Sequence, residues 1–259
     1  MRLLRLSRPR GRQPTRSPVV WRLLRILVFC LAVTTGLFAQ SDVTVTGQVE
    51  VLSGTSSHSP ADASQVVVWL NPLFTPVLPA PPQPQKELRL VQRHKSFVPH
   101  LLVVQAGSIV EFPNEDPFFH NVFSLFQGKR FDLGLYEAGS TRAVLFDKLG
   151  ICYLFCNIHP EMSAVIVVLK TPYFAISDRA GHISIAGVPA GRYELRLWSE
   201  HALTDDLNSL TRAVNVSPST QSLGTISLRA YPNQNATHKN KYGREYDTPT
   251  PPSSLYLQP

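Results

Sequence analysis

From Leu88 onward the chain is a series of short apolar runs, each closed by a turn-forming residue. They are "LRLVQ", "HLLVVQ", "SIVEFPN", "HNVFSL", "RAVLFD", "ICYLFC" and "SAVIVVL", with Gly, Pro, Asn and Asp between them. None of this carries the 3.6-residue period of a long amphipathic helix. Regularly spaced runs of β-branched and aromatic residues instead predict a sandwich or barrel. The composition agrees: 22 Pro, 17% charged and 43% hydrophobic residues suit a turn-rich β protein with a packed core. The predicted fold class is all-β.

Two earlier runs have the same character, "VTVTGQVEV" (residues 43–51) and "SQVVVWLNP" (64–72). A proline-rich stretch, "FTPVLPAPPQPQKE" (74–87), follows and is suited to neither a central strand nor a helix. A second β-rich piece begins after residue 170 with "YFAISDRAGHISIAGVPAGRYELRLWSE" (173–200). It reads strand, Asp-x-x-Gly turn, strand, Pro-x-Gly turn, strand. "LTRAVNVS" and "LGTISLRA" complete it. The segment 230–259 is polar, proline-rich and aperiodic, and is expected to be a disordered tail.

The formal charge of +7 is concentrated at one end. Eight arginines and no acidic residue precede residue 40, and an apolar run closes at Ala39. A basic stretch, a short hydrophobic stretch and a small residue make residues 1–39 an expected signal peptide. Its removal leaves 17 basic residues against 18 acidic ones, so the basic balance gives no reason to expect a nucleic-acid partner. The expected location is periplasmic or extracellular. A membrane association follows only if the N-terminal segment stays uncleaved, and its apolar run is shorter than the roughly 20 residues of a spanning helix.

Export leaves Cys152 and Cys156. If "ICYLFC" is a strand, the two lie about 13 Å apart at ~3.3 Å per residue. That is well beyond the ~7 Å limit for a disulfide. Two unpaired thiols in an exported protein need another explanation, and "LFCNIHPEM" offers one for Cys156. It sets thiol, imidazole and thioether at Cys156, His159 and Met162, although the chain has only two methionines, the other being Met1. Thiolate, imidazole and a weak thioether form the ligand set of a mononuclear copper electron-transfer site, which needs one more imidazole from elsewhere. "NEDPFFHNVFS" supplies His120. Zinc is a chemical rival, although structural zinc sites use four Cys or His ligands and no thioether. A nucleophilic Cys–His pair is another, although three-residue spacing in one loop is not its usual form.

Residues 97–169 resemble a cupredoxin of the plastocyanin and amicyanin type. The likeness lies in "VVQAGSIVEFPNEDPFFHNVFS", similar to the strand preceding the first histidine and its Asn, and in "GICYLFCNIHPEM", similar to the strand and loop holding the other ligands. The short Cys–His–Met spacing is closer to amicyanin. The resemblance implies a Greek-key cupredoxin sandwich or barrel over residues 88–170. It implies one copper held by His120, Cys156, His159 and Met162, and an Asn121 side chain that ties the two ligand loops together. Phe119 stands where these families often have Pro, and Cys152 where an inward aromatic is common. Strand alternation puts Cys152 on the face of Cys156, as a buried core thiol. Phe118, Phe119, Ile158 and Pro160 flank the histidines and are expected to form an apolar rim.

"FAISDRAGHISIAGVPAGRYELRLW" resembles the carboxypeptidase regulatory-like, or transthyretin-like, β-sandwich module. Strands similar to that module's first ones occur here upstream of the copper segment, in "TGQVEV" and "DASQVVVWLNP". A discontinuous second small sandwich is therefore expected, residues 43–73 plus 171–229, with the cupredoxin inserted; the alternative is that the early strands extend the cupredoxin sheet. His182 and His201 read as surface or structural residues. The resemblance implies no enzyme and no small-molecule substrate, but an exported type 1 copper protein passing single electrons between redox protein partners. A copper-binding or delivery protein without redox turnover would use the same residues. An adhesion or assembly module on a degenerate cupredoxin fold would not need them intact.

Overall fold

The structure is a computed structural model and describes residues 42–53, 62–74, 88–125, 128–231 and 238–246. The segment read as a signal peptide lies outside the described residues, as do 75–87 of the proline-rich stretch and 232–237 and 247–259 of the tail. Among the described residues no helix is long and apolar enough to cross a membrane. The one regular helix described, α1 (Thr204–Ser209), is short; the other regular elements are strands. The chain is all-β, the class that its closely spaced apolar runs predict.

Strands β1 (Val43–Ser53) and β2 (Val67–Pro72) come first. The hairpin of β3 (Val91–Arg93) and β4 (Ser96–Val98) follows, then β5 (Leu101–Gln105), β6 (Ser108–Pro113), β7 (His120–Ser124), β8 (Phe131–Tyr136), β9 (Thr141–Phe146), β10 (Gly150–Phe155) and β11 (Ser163–Leu169). In this middle part a five-stranded sheet runs β5-β11-β10-β7-β8, accompanied by the ribbons β6-β9 and β3-β4. Their apolar faces meet in a core that includes Leu90, Phe112, Tyr136, Phe146, Leu154 and Ile166.

The last strands are β12 (Phe174–Ile176), β13 (His182–Val188), β14 (Gly191–Trp198), β15 (Arg212–Val216) and β16 (Ser222–Ala230). β1 and β2 join these rather than the strands between. β1 lies between β13 and β16, antiparallel to the first and parallel to the second. β2 lies between β12 and β14, with β15 at the sheet's edge. Val45, Val49, Val68, Leu70, Ile185, Leu195 and Ile226 form the core between these two sheets. The Asp-x-x-Gly turn forms where the sequence predicts it. Gly181 N–H donates to Asp178 O and the Asp178 carboxylate accepts from His182 N–H. Gly181 is required there because its φ is +83° and a Cβ would run into the Val49 carbonyl.

A third apolar cluster joins the two parts. It contains Val67 of β2, Leu101 and Val103 of β5, Val165, Val167 and Leu169 of β11, and Trp198 of β14. β11 is thus buried on both faces: Ala164, Ile166 and Val168 point into the first core, their neighbours into the junction. Continuous burial explains why "SAVIVVL" is an unbroken apolar run rather than an alternating one.

A polar contact spans the same junction. His100 Nε2 lies 2.7 Å from Glu200 Oε2, and His100 Nδ1 lies 3.1 Å from the Ser163 carbonyl. Both partners are acceptors, so the ring satisfies them together only as an imidazolium. The hydrogen bond to Glu200 raises the His100 pKa; burial opposes it, and the Glu200 charge and the Ser163 carbonyl assist. A raised folded-state pKa stabilises fully below the unfolded value of 6.5 and is lost as pH rises through the folded value. The expected outcome is that His100→Gln lowers the urea midpoint of the metal-free protein more at about pH 5.5 than at about pH 8.5. Equal losses at both pH values would refute the charged latch.

Candidate metal centre

β10 ends at Phe155 and β11 begins at Ser163, with these two residues paired across the ladder. The seven residues between them make a loop whose ends are fixed by sheet register. The loop closes on itself: Cys156 N–H donates to Met162 O at 3.2 Å and Met162 N–H to His159 O at 3.1 Å. His120 opens β7, which pairs with β10 through Phe123 and Phe155. This pairing brings the first histidine to the loop from 36 residues away.

Three candidate ligand atoms converge. Cys156 Sγ lies 3.8 Å from His120 Nδ1 and 3.7 Å from His159 Nδ1, and the two nitrogens are 3.1 Å apart. A central ion about 2.0 Å from nitrogen and about 2.3 Å from sulfur subtends N–S edges of about 3.7 Å at trigonal angles. The donor set therefore fits one small transition-metal ion without rearrangement. Cys156 and His120 are fully buried, and His159 is partly exposed. Met162 is fully buried in the same core cluster as Cys156.

The electrostatics suit neutral imidazole donors. Burial, and then the proximity of His120, lower the His159 pKa, so its ring stays neutral near pH 7. His120 Nε2 lies 2.8 Å from Asp116 Oδ2. Burial works to raise the Asp116 pKa, but hydrogen bonds from Lys95 N–H, His120 and His94 N–H outweigh it and hold the pKa below the usual carboxylate value. An ionised carboxylate only accepts, so Nε2 of His120 carries the proton and Nδ1 presents its lone pair to the site.

Asp116 has a second task. His94 and Lys95 form the two-residue turn between β3 and β4, both at positive φ, and their N–H groups donate to Asp116 at 2.6 and 2.9 Å. Asp116 thereby compensates for two non-glycine residues in a turn that favours glycine. The sequence reading does not single out Asp116. Its signal is spacing: an acid four residues before the histidine, in a turn organised by Asn114, whose side chain accepts from Asp116 N–H and donates to Phe118 O.

Asn121 behaves differently from the expectation. Its Nδ2 donates to Asp132 Oδ1 at 2.7 Å and Gly134 O at 2.9 Å, both in β8, and does not reach the Cys156 loop. Its Oδ1 is buried with no hydrogen-bond partner among the described residues. The β7–β8 register shifts between Asn121 and Phe123, beside this amide.

The reading of 230–259 as a disordered tail does not hold for residues 238–246, which are placed on the ligand loop. Tyr246 OH donates to Cys156 O at 2.7 Å, and the His238 ring stacks on Phe155 at 3.9 Å. Cys152 is a buried free thiol in the core, and burial raises its pKa. Phe118 lies against both histidine rings, at 5.1 and 5.7 Å, while Phe119 and Ile158 are exposed beside them.

Removing the Asp116 carboxylate leaves His120 Nε2–H and two turn amides without their acceptor. Asp116→Ala should destabilise the metal-free protein by about 2 kcal/mol in denaturant unfolding. It should also weaken the Nε2–H tautomer preference of His120 seen by nitrogen NMR. An unchanged tautomer would show that something else orients the ring.

No protein-family profile matches the chain, and no curated protein matches it. Solved structures do. One is a point mutant of amicyanin in its Cu(I) form, 18% identical, with 32% of this chain and 81% of that chain covered and a TM-score of 0.30. Another is a purple cupredoxin from Nitrosopumilus maritimus, 20% identical over 31% of this chain and 98% of that one, with a TM-score of 0.29. A third is the copper-containing nitrite reductase of Thermus scotoductus SA-01, 25% identical, covering 47% of this chain and 28% of that one, with a TM-score of 0.33.

Proposed function

We propose that this protein is an exported mononuclear type 1 copper protein that carries single electrons between redox protein partners. The supporting observation is the triangle of Cys156 Sγ, His120 Nδ1 and His159 Nδ1, closed to within 4.8 Å, with its first two residues buried. A His₂Cys set with a weak axial thioether is the ligand pattern of blue-copper electron-transfer sites. His120, Cys156 and His159 hold the ion in this proposal, and the buried Met162 supplies the thioether. Copper, when bound, supplies the one-electron couple.

The residues do the rest. Asp116 fixes one imidazole, the β10–β11 ladder fixes the loop, and the core around Cys156 keeps water from the sulfur. A site held this firmly would move little if a bound ion changed its oxidation state. His159 is the ligand nearest solvent, and Phe118, Phe119, Ile158 and Pro160 form an apolar rim where a partner docks. The second sandwich, residues 43–73 plus 171–229, is a carboxypeptidase regulatory-like module that presents the inserted copper domain of residues 88–170. Its strands' pairing across the insertion supports this division. The basic and apolar segment 1–39 supports export.

The test is spectroscopic. Purified protein given Cu(II) should show an intense visible band near ~600 nm and a type 1 EPR signal, both lost in Cys156→Ser. Tight Cu(I) binding without the band would favour metal delivery, and a folded protein with neither would sink the copper assignment.

A further inference from the structure

Asn121 does not join the two ligand-bearing segments, and another part of the chain spans the gap. We infer that residues 238–246 tie the His120 segment to the Cys156–Met162 loop, with Lys241 and Tyr246 as positioning residues. The ligand assignments rest on the copper reading above; the contacts themselves do not.

Lys241 touches both sides. Its Nζ donates to Asp132 Oδ2 at 2.8 Å, and Asp132 Oδ1 accepts from Asn121 Nδ2 at 2.7 Å. Its backbone N–H donates to Asn157 Oδ1 at 3.0 Å. The path Asn121–Asp132–Lys241–Asn157 therefore connects the residue after the first histidine to the residue after the cysteine. Asp132 is suited to the link. Burial works to raise its pKa, but the hydrogen bonds from Lys241, Gly134 N–H and Asn121 prevail and keep it ionised.

Tyr246 and His238 hold the loop's carbonyls. The loop's internal bonds use the carbonyls of His159 and Met162; those of Cys156 and Pro160 are among the ones they leave. Tyr246 OH donates to Cys156 O at 2.7 Å, and His238 Nε2 lies 2.8 Å from Pro160 O. The His238 ring lies nearly parallel to Phe155, at an interplanar angle of 29°. Successive parts of the loop are thus anchored by one nine-residue strap. Cys156 is fully buried, so water does not readily replace the Tyr246 hydroxyl.

The strap is polar and leans on hydrogen bonds to the backbone. It therefore adds rigidity to the loop rather than core to the domain. Its consequence for the site is a loop that stays closed before and after the metal binds, with Cys156 shielded from water.

The experiment is amide exchange by NMR on the full-length, metal-free protein. Variants are Tyr246→Phe, Lys241→Met, Lys241→Arg, and a chain ending at residue 231. The Cys156 and Met162 amides should exchange about tenfold faster in Tyr246→Phe and Lys241→Met, and faster still in the truncated chain. The Val122 and Ile166 amides in the strands should be unchanged, and Lys241→Arg should restore loop protection. In the copper-loaded protein the reduction potential should fall in Tyr246→Phe, because water near the sulfur favours the higher charge of Cu(II). Wild-type loop exchange in the truncated chain and in Tyr246→Phe would overturn the inference. If truncation also loosens the strands, the single substitutions decide. A wild-type protein that takes up no copper refutes the copper reading, while exchange in the metal-free protein still decides the strap.

Discussion

β11 is buried on both of its faces, and the positions of the cores and of the candidate site follow from that. Ala164, Ile166 and Val168 enter the core beneath the site, while Val165, Val167 and Leu169 enter the junction with Val67 and Trp198. A strand with one wet face can slip by one residue at the cost of swapping faces. Here a slip would repack two cores at once, where each displaced aliphatic side chain carries about 1.5–3 kcal/mol of burial. The register of β11 is therefore locked to β10 and β5 together. Because the ligand loop runs directly from Phe155 to Ser163, its span is locked too, and Cys156 N–H finds Met162 O as a result. The placement of the candidate metal-binding loop is thus inherited from aliphatic packing.

Preorganisation is the property that packing gives the site. The three donor atoms sit at metal-spanning distances through contacts the polypeptide makes by itself. Asp116 shows how few polar groups this takes. One carboxylate satisfies the amides of a tight turn and orients a buried imidazole, so the β3–β4 hairpin and the first histidine are held by the same two oxygens. Any metal that accepts two imidazoles and a thiolate at these distances finds them already placed. That lowers the ordering entropy of binding and restricts the geometry the metal can adopt.

The fold class is legible in the sequence because strand signals are local. Spacing, Gly and Pro punctuation and β-branched runs all point one way, and they do so within windows of about ten residues. Cys156, His159 and Met162 are legible as a group because one short loop holds them. The partners are harder. Asp116 lies in a turn whose acid content looks like ordinary solvation, and only the fold turns it inward against His94, Lys95 and His120. Asn121 misleads for a related reason. Its type and place after His120 suggest a link to the other loop, but its amide donates to Asp132 and Gly134 of β8, which are far from it in the sequence only by the length of a hairpin. Residues 238–246 give no signal at all. A polar segment without periodicity, set in a proline-rich tail, has the composition of a disordered one, and what fixes it is a set of side-chain and carbonyl partners presented by strands and loops far earlier in the chain.

Two kinds of restraint therefore meet at the candidate site, and they differ in how they fail. Beneath it, apolar strands hold through burial, which is non-directional and cooperative and gives way only with the core as a whole. On the loop's outer side, Lys241, Tyr246 and His238 hold through a few directional bonds, each worth about 1 kcal/mol net. Local opening follows the weaker set. The strap can detach while β7, β10 and β11 keep their register, so His120 and the ends of the loop stay in place as the middle of the loop is released. A binding site built on both terms has a fixed floor and a separable cover. The core shields the sulfur from below, and the cover governs how much water reaches it from the loop's outer side.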